Sequence, residues 1–194
     1  MIAKMDISRG DPRAGCSREY SNVQTRRYYI AAEEVTWDFL PRGENHCKND
    51  PALGDDENVF VENGPDRIGS RYIKARYIRY TDSKFTKQMP QDPTLGYLGP
   101  TLQAEVGDTV EVVFLNRLDR AVNIEPHGLQ FAAASNGPVQ RGKRTTYTWT
   151  VPFGSGPAPE DGNSIVWMYH SSITEPGDQT SGLLGAVIVY NEGL

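Results

Sequence analysis

The chain has 194 residues, 38% of them hydrophobic and 23% charged, which suits one soluble globular domain with an ample core. A formal net charge of −5 gives no electrostatic basis for nucleic acid or an anionic membrane as partner. No apolar run approaches the roughly 20 residues that span a bilayer, so no transmembrane segment is expected.

Residues 1–25 are polar and carry Gly and Pro, and read as an extended or disordered arm before a domain over 26–194. The opening MIAKMDISRGDPRAG has no apolar stretch of signal-peptide length. That is consistent with residence inside the cell or with a leader absent from this chain. RRYYIAAEEVTWDFL (26–40) is rich in aromatic and branched residues and predicts the first strand. PRGENHCKNDPALGDDEN (41–58) is loop by its Pro, Gly, Asn and Asp content. RYIKARYIRYTD (71–82) alternates strand formers with Arg and Lys, as a half-exposed strand does.

QDPTLGYLGP (91–100) predicts a turn-rich connection. TLQAEV and TVEVVFLN follow, with Gly107-Asp108 between them as a hairpin-type turn signal. AVNIEPHGLQF, KRTTYTWTV, SIVWMYHSS and GLLGAVIVY complete a series of short β-runs. GSGPAPEDGN and ITEPGDQTS read as loops. No segment keeps a 3.6-residue apolar period over three turns. Seven to nine short strands punctuated by Gly and Pro predict an all-β sandwich or barrel. Tyr28, Tyr29, Trp37, Tyr77 and Tyr80 are expected to pack within it rather than to form a sugar-stacking platform.

Two of the three histidines, His127 in NIEPHGL and His170 in WMYHSS, lie in predicted strands. Residues two apart on a strand share a face, so Glu125 and His127 can face one site. Pro126 between them cannot donate to a ladder, which places the segment at an edge or bulge. With His170 from a neighbouring strand, two imidazoles and a carboxylate form a mononuclear set suited to copper, zinc or iron(II). The alternative is two strand-end histidines satisfied by ordinary hydrogen bonds. His46, beside Cys47 in an acidic loop, reads as solvated. Met168 is expected to pack. Ser171 and Ser172 beside His170 lack a GxSxG elbow, so hydrolase chemistry is not supported. Asp55, Asp56 and Glu57 lack the spaced pattern of a dedicated calcium loop.

KARYIRYTDSKFT, LGYLGPTLQAEVGDTVEVVFLN, NIEPHGL, WMYHSS and SGLLGAVIVY, in this order, resemble the first cupredoxin domain of ceruloplasmin-like multicopper ferroxidases. Clotting factors of the same superfamily share much of the pattern. The resemblance implies a single Greek-key β-sandwich, copper as cofactor, and an extracellular or secretory-lumen setting. In such domains two HxH-type pairs serve a trinuclear copper cluster completed by another cupredoxin domain. His127 matches the second histidine of the first pair and His170 the first histidine of the second. Glu125 and Ser172 stand where the other two histidines belong.

By that correspondence His127 and His170 are ligands of one type 3 copper. The other two ions each lose a ligand, which implies copper at reduced stoichiometry. A second domain or subunit is then the expected partner for oxidising iron(II) or a similar reductant with oxygen. A non-catalytic binding or structural module, as in the clotting relatives, is the alternative, and the mononuclear site with Glu125 is a further one. No cysteine lies beyond residue 47, so the thiolate of a type 1 site is missing. The two cysteines, Cys16 and Cys47, are either free thiols or a disulfide tying the arm to the segment after the first strand.

Overall fold

A computed structural model describes residues 23–47 and 52–193. In chain order the elements are β1 (Thr25–Asp38), α1 (Asp55–Val61), β2 (Asn63–Gly64), β3 (Arg67–Ile68), β4 (Arg71–Tyr80), β5 (Leu102–Glu105), β6 (Thr109–Asn116), β7 (Glu125–Pro126), β8 (Arg144–Thr150), β9 (Ser164–His170), α2 (Gly177–Ser181) and β10 (Leu184–Tyr190). Two four-stranded sheets, ordered β4-β1-β6-β8 and β5-β10-β9-β7, form an all-β sandwich, with β2-β3 as a small separate ladder.

Alternation builds the core. TVEVVFLN in β6 turns Val110, Val112 and Phe114 fully inward, and LGAVIVY in β10 does the same with Val187 and Val189. These meet Ile30, Tyr77, Leu102, Trp149 and Tyr169 in one cluster drawn from both sheets. Tyr28, Tyr77 and Tyr80 are buried as expected. The buried phenols find acceptors: Tyr77 Oη donates to Asn123 O at 2.6 Å and Tyr169 Oη to Pro100 O at 2.6 Å. Burial pushes both phenols well above their ordinary pKa.

Three local expectations change. Gly107-Asp108 does not close a hairpin, because β5 and β6 belong to different sheets. The turn is a corner that carries the chain across the sandwich. Asp108 holds it, with its buried carboxylate accepting from the backbone N–H of Glu105 at 2.8 Å and Gln24 at 3.0 Å and pairing with Arg26. Within 41–58, read as loop, α1 begins at Asp55. Its first turn is acidic, and Glu57 Oε2 accepts from Gly54 N–H at 2.7 Å, a cap that suits the positive end of the helix. The helix has 7 residues, too short for a three-turn period to reveal it. α2 likewise sits inside the segment ITEPGDQTS, read as a turn.

Residues 1–22, and with them most of the polar arm and Cys16, lie outside the described residues, so the choice between a Cys16–Cys47 bridge and two free thiols does too. Cys47 and His46 are exposed.

Candidate metal centre

β7 is the end strand of the second sheet, as Pro126 requires. It pairs antiparallel with β9 in the register Glu125↔His170 and Pro126↔Tyr169. His127 N–H donates to Met168 O at 2.8 Å, continuing that register by one residue. His127 and His170 are therefore diagonal cross-strand neighbours on the outer face, within reach of side chains of imidazole length. Tyr169, between them in register, points into the core.

The two rings meet Nε2 to Nε2 at 2.7 Å, with centroids 4.8 Å apart and planes 39° from parallel. The nitrogens thus point nearly at one another, and one of them carries the shared proton. His170 is buried; His127 is exposed. His170 Nδ1 lies 2.9 Å from Ser171 O and 3.0 Å from Gln179 Nε2. A carbonyl can only accept, and Gln179 Nε2 has a second acceptor in Glu175 Oε1 at 3.0 Å. We therefore assign the Nδ1 proton to His170, donated to Ser171 O. His170 Nε2 then presents its lone pair and accepts from His127 Nε2–H.

Ser171 is fixed in turn by a buried carboxylate. Asp178 Oδ2 accepts from Ser171 Oγ at 2.6 Å and from Thr174 N–H at 3.2 Å, while Oδ1 pairs with Arg120 at 3.1 Å. The short helix α2 thus holds the loop after β9 and orients His170 through Ser171 O, the kind of outer support that metal-ligating histidines have. Neither Asp178 nor Gln179 was singled out in the sequence. Their only signal is a polar segment just after WMYHSS.

Glu125 faces the same side as His170, but its carboxylate is turned elsewhere. Oε2 accepts from Ser172 Oγ at 2.7 Å and from Asn136 Nδ2. Asn123 ties this group down, since Ser172 N–H donates to Asn123 Oδ1 at 2.9 Å and Asn123 Nδ2 donates to Asn136 O at 3.0 Å. Asn136 Oδ1 is buried with no hydrogen-bond partner. Among the described residues no group of three or more His, Cys, Asp or Glu is gathered for a metal ion. The structure brings His127 and His170 together and leaves Glu125 in a neighbouring polar network.

The donor set fits one ion in part. Two imidazoles with Nε2 converging, one backed by a carbonyl at Nδ1, supply two nitrogen ligands. The 2.7 Å separation is shorter than the roughly 3.3 Å spanned by two nitrogens on a tetrahedral ion with bonds of about 2.0 Å, so the rings must part slightly to admit one. A three-ion cluster does not fit the described residues.

Gly128 has φ +72°, and a Cβ there would overlap the Trp167 ring. The space beside Gly128 is taken by Trp167, whose Nε1 donates to Ser155 O at 2.8 Å. Met168, expected to pack, is 49% exposed on the outer face of β9, beside Val166 at 63%.

Residues 94–193 match the family model described as multicopper oxidase. The chain is 38% identical over 186 residues to human ferroxidase HEPHL1, covering 88% of this chain and 16% of that protein. It is 38% identical over 172 residues to human ceruloplasmin, covering 84% and 16% respectively. Dog coagulation factor VIII is 35% identical over 181 residues, covering 86% of this chain and 8% of its own length. The crystal structure of a multi-copper oxidase from Pseudomonas thermotolerans superposes with a TM-score of 0.53 at 18% identity, over 89% of this chain and 31% of that one, and shows the shared cupredoxin fold. The chain spans about a sixth or less of the length of these curated relatives. With its sandwich and its ordered motifs, this chain belongs to the multicopper oxidase family.

Proposed function

We propose that the chain is a copper-binding cupredoxin-type domain of a ferroxidase-like system, holding one copper through His127 Nε2 and His170 Nε2. The observation that carries this reading is the convergence of the two imidazole nitrogens at 2.7 Å on the outer face of the second sheet. His170, with its proton at Nδ1 donated to Ser171 O, offers its Nε2 lone pair once the bond from His127 opens. His127 offers one once its shared proton moves to its own Nδ1. Bound copper would supply a one-electron redox centre; the remaining ligands come from outside this chain.

The rest of the centre is proposed to come from a second cupredoxin domain or subunit. Support comes from the share of the relatives that the chain spans and from the apolar surface that adjoins the histidines. Val166 and Met168 share the outer face with His170 by strand alternation, and Ile173 just beyond is 38% exposed. In the completed protein four iron(II) ions, or a similar reductant, each give up one electron, and dioxygen takes these with four protons to form two waters. An extracellular setting accompanies this reading.

The second reading is a non-catalytic module, favoured by the hydrogen bond between Glu125 and Ser172, the two positions where the resemblance expects histidines. Use of Glu125 as a third ligand requires its carboxylate to leave Asn136 and Ser172. Calorimetric titration of the purified chain with copper(II) tests the proposal. One ion or fewer per chain is expected, with binding weakened at least about 10-fold in His170→Ala; no saturable binding supports the module reading instead.

A further inference from the structure

Away from the histidine pair, the end strands of the two sheets, β4 and β5, border a cleft of about 710 Å³ roofed by residues 88–95. Its walls carry two arginines, Arg76 and Arg79, with apolar surface from Ile78, Met89 and Leu95.

Neither guanidinium has an acidic partner among the described residues. Arg76 pairs in register with Glu33, but Glu33 Oε1 is taken by Tyr80 Oη and by Arg117 Nη1 at 2.8 Å. Arg76 keeps one long hydrogen bond, Nη1 to Gly96 O at 3.3 Å, and its Nε is buried with no acceptor at all. Burial with no compensating charge pulls its pKa below the ordinary guanidinium value. Arg79 lies over the Tyr28 ring at 4.7 Å from the centroid, which holds its plane without neutralising it. The acid on the rim, Asp92, has its Oδ1 engaged by Thr94 N–H at 2.9 Å and Thr94 Oγ1 at 2.7 Å.

Two guanidinium groups with no carboxylate at ion-pair distance among the described residues are matched by an oxyanion, which accepts from the fork of N–H donors. The cleft volume lies in the range of small-molecule sites and far exceeds that of a bare ion, and the aliphatic wall favours an organic body. We propose that this cleft binds a small organic oxyanion, a carboxylate or a phosphate or sulfate ester on a partly apolar frame, through Arg76 and Arg79. The site shares no residue with the histidine pair and stands independently of the copper reading.

Benzoate and phenyl phosphate are titrated separately into the intact chain, with phenol as the uncharged control, while arginine Nε–H signals are followed by NMR. The expected result is a saturable shift of the Arg76 and Arg79 signals with at least one anion and none with phenol. Binding is expected to weaken about 10-fold or more in Arg76→Gln and in Arg79→Gln. Which anion binds separates carboxylate from phosphate. Arg79→Lys, which keeps the charge but loses the fork, is expected to retain the parent spectrum and bind more weakly than the parent. Absence of a saturable shift with either anion, equal binding of phenol, or unchanged affinity in both Gln variants would overturn the proposal.

Discussion

Ser172 Oγ donates to Glu125 Oε2 at 2.7 Å, joining two positions at which the family resemblance expects metal-binding histidines. Beside them His127 and His170 are joined to each other. The polar groups therefore fall into a nitrogen pair and a carboxylate–hydroxyl–amide network in which the Asn136 Oδ1 alone has no partner. A half-buried carboxylate is stabilised by such donors, and Asn136 and Ser172 provide them.

Replacing both altered positions, as Glu125→His with Ser172→His, tests that separation. The double variant is expected to bind copper more tightly and at higher stoichiometry than the parent, measured by calorimetry. It also loses the donors and acceptor of the network, including the bond from Asn136. Its metal-free melting temperature should fall, for a cost of about 1–3 kcal/mol. Unchanged copper binding would show that these positions do not face the site.

His127→Ala and His170→Ala are each expected to reduce copper affinity by at least about 10-fold, since each leaves one imidazole. The variants should differ without metal. His127 is exposed and its removal nearly neutral, whereas His170 is buried and hydrogen bonded to Ser171 O, so His170→Ala should cost about 1–3 kcal/mol in urea unfolding. Equal stability of the two variants would remove the assigned Nδ1 proton bond from the account.

Asp178→Ala is expected to destabilise the fold by about 2–4 kcal/mol, because it strips acceptors from Ser171 Oγ, Thr174 N–H and Arg120 together. Since Ser171 O orients His170, copper affinity should fall as well, by about 10-fold or more for loss of an outer support. Stability is read by urea unfolding and affinity by calorimetry at a temperature where the variant is folded. A stability loss with no change in copper affinity would confine Asp178 to holding the loop.

The sandwich was readable because period-two patterns in TVEVVFLN and LGAVIVY report one buried face each. Gly107-Asp108 was misread because a turn dipeptide is a local signal, and whether the next strand rejoins the same sheet depends on long-range bonds such as Asp108 to Gln24 and Arg26. Met168 was misread for a related reason: alternation places it opposite Tyr169 but does not say that its face lacks cover. The histidine pair was found through motif order and strand period. Gln179 reaches His170, and Asn136 reaches Glu125, from other segments with no fixed spacing. The uncompensated state of Arg76 and Arg79 depends on where Glu33 and Asp92 turn, which the sequence does not show.

Gly128→Ala is expected to destabilise the chain by about 2–4 kcal/mol. The substitution strains a backbone at positive φ and drives a methyl into the Trp167 ring. Trp167 fluorescence and the melting curve should change together. A variant with unaltered stability and emission would show that Trp167 does not occupy that space.

Copper-loaded protein is expected to lack an intense blue band and to oxidise iron(II) no faster than free copper. A type 1 centre needs a cysteine thiolate with two histidines in one pocket, and the sequence has no cysteine beyond Cys47, which is exposed in the loop after β1. Without that centre, electrons from the reductant have no family-type entry point in this chain. Independently, Glu125 and Ser172 are bonded to each other and leave a three-ion cluster short of ligands, so reduction of dioxygen by four electrons has no complete centre here. The visible spectrum of the loaded chain and iron(II) oxidation under air check the two arguments separately. A blue thiolate-to-copper band would overturn the first. Turnover well above free copper that disappears in His127→Ala, without such a band, would overturn the second, and would mean that a single copper on this histidine pair does the oxidation by a route other than the family's.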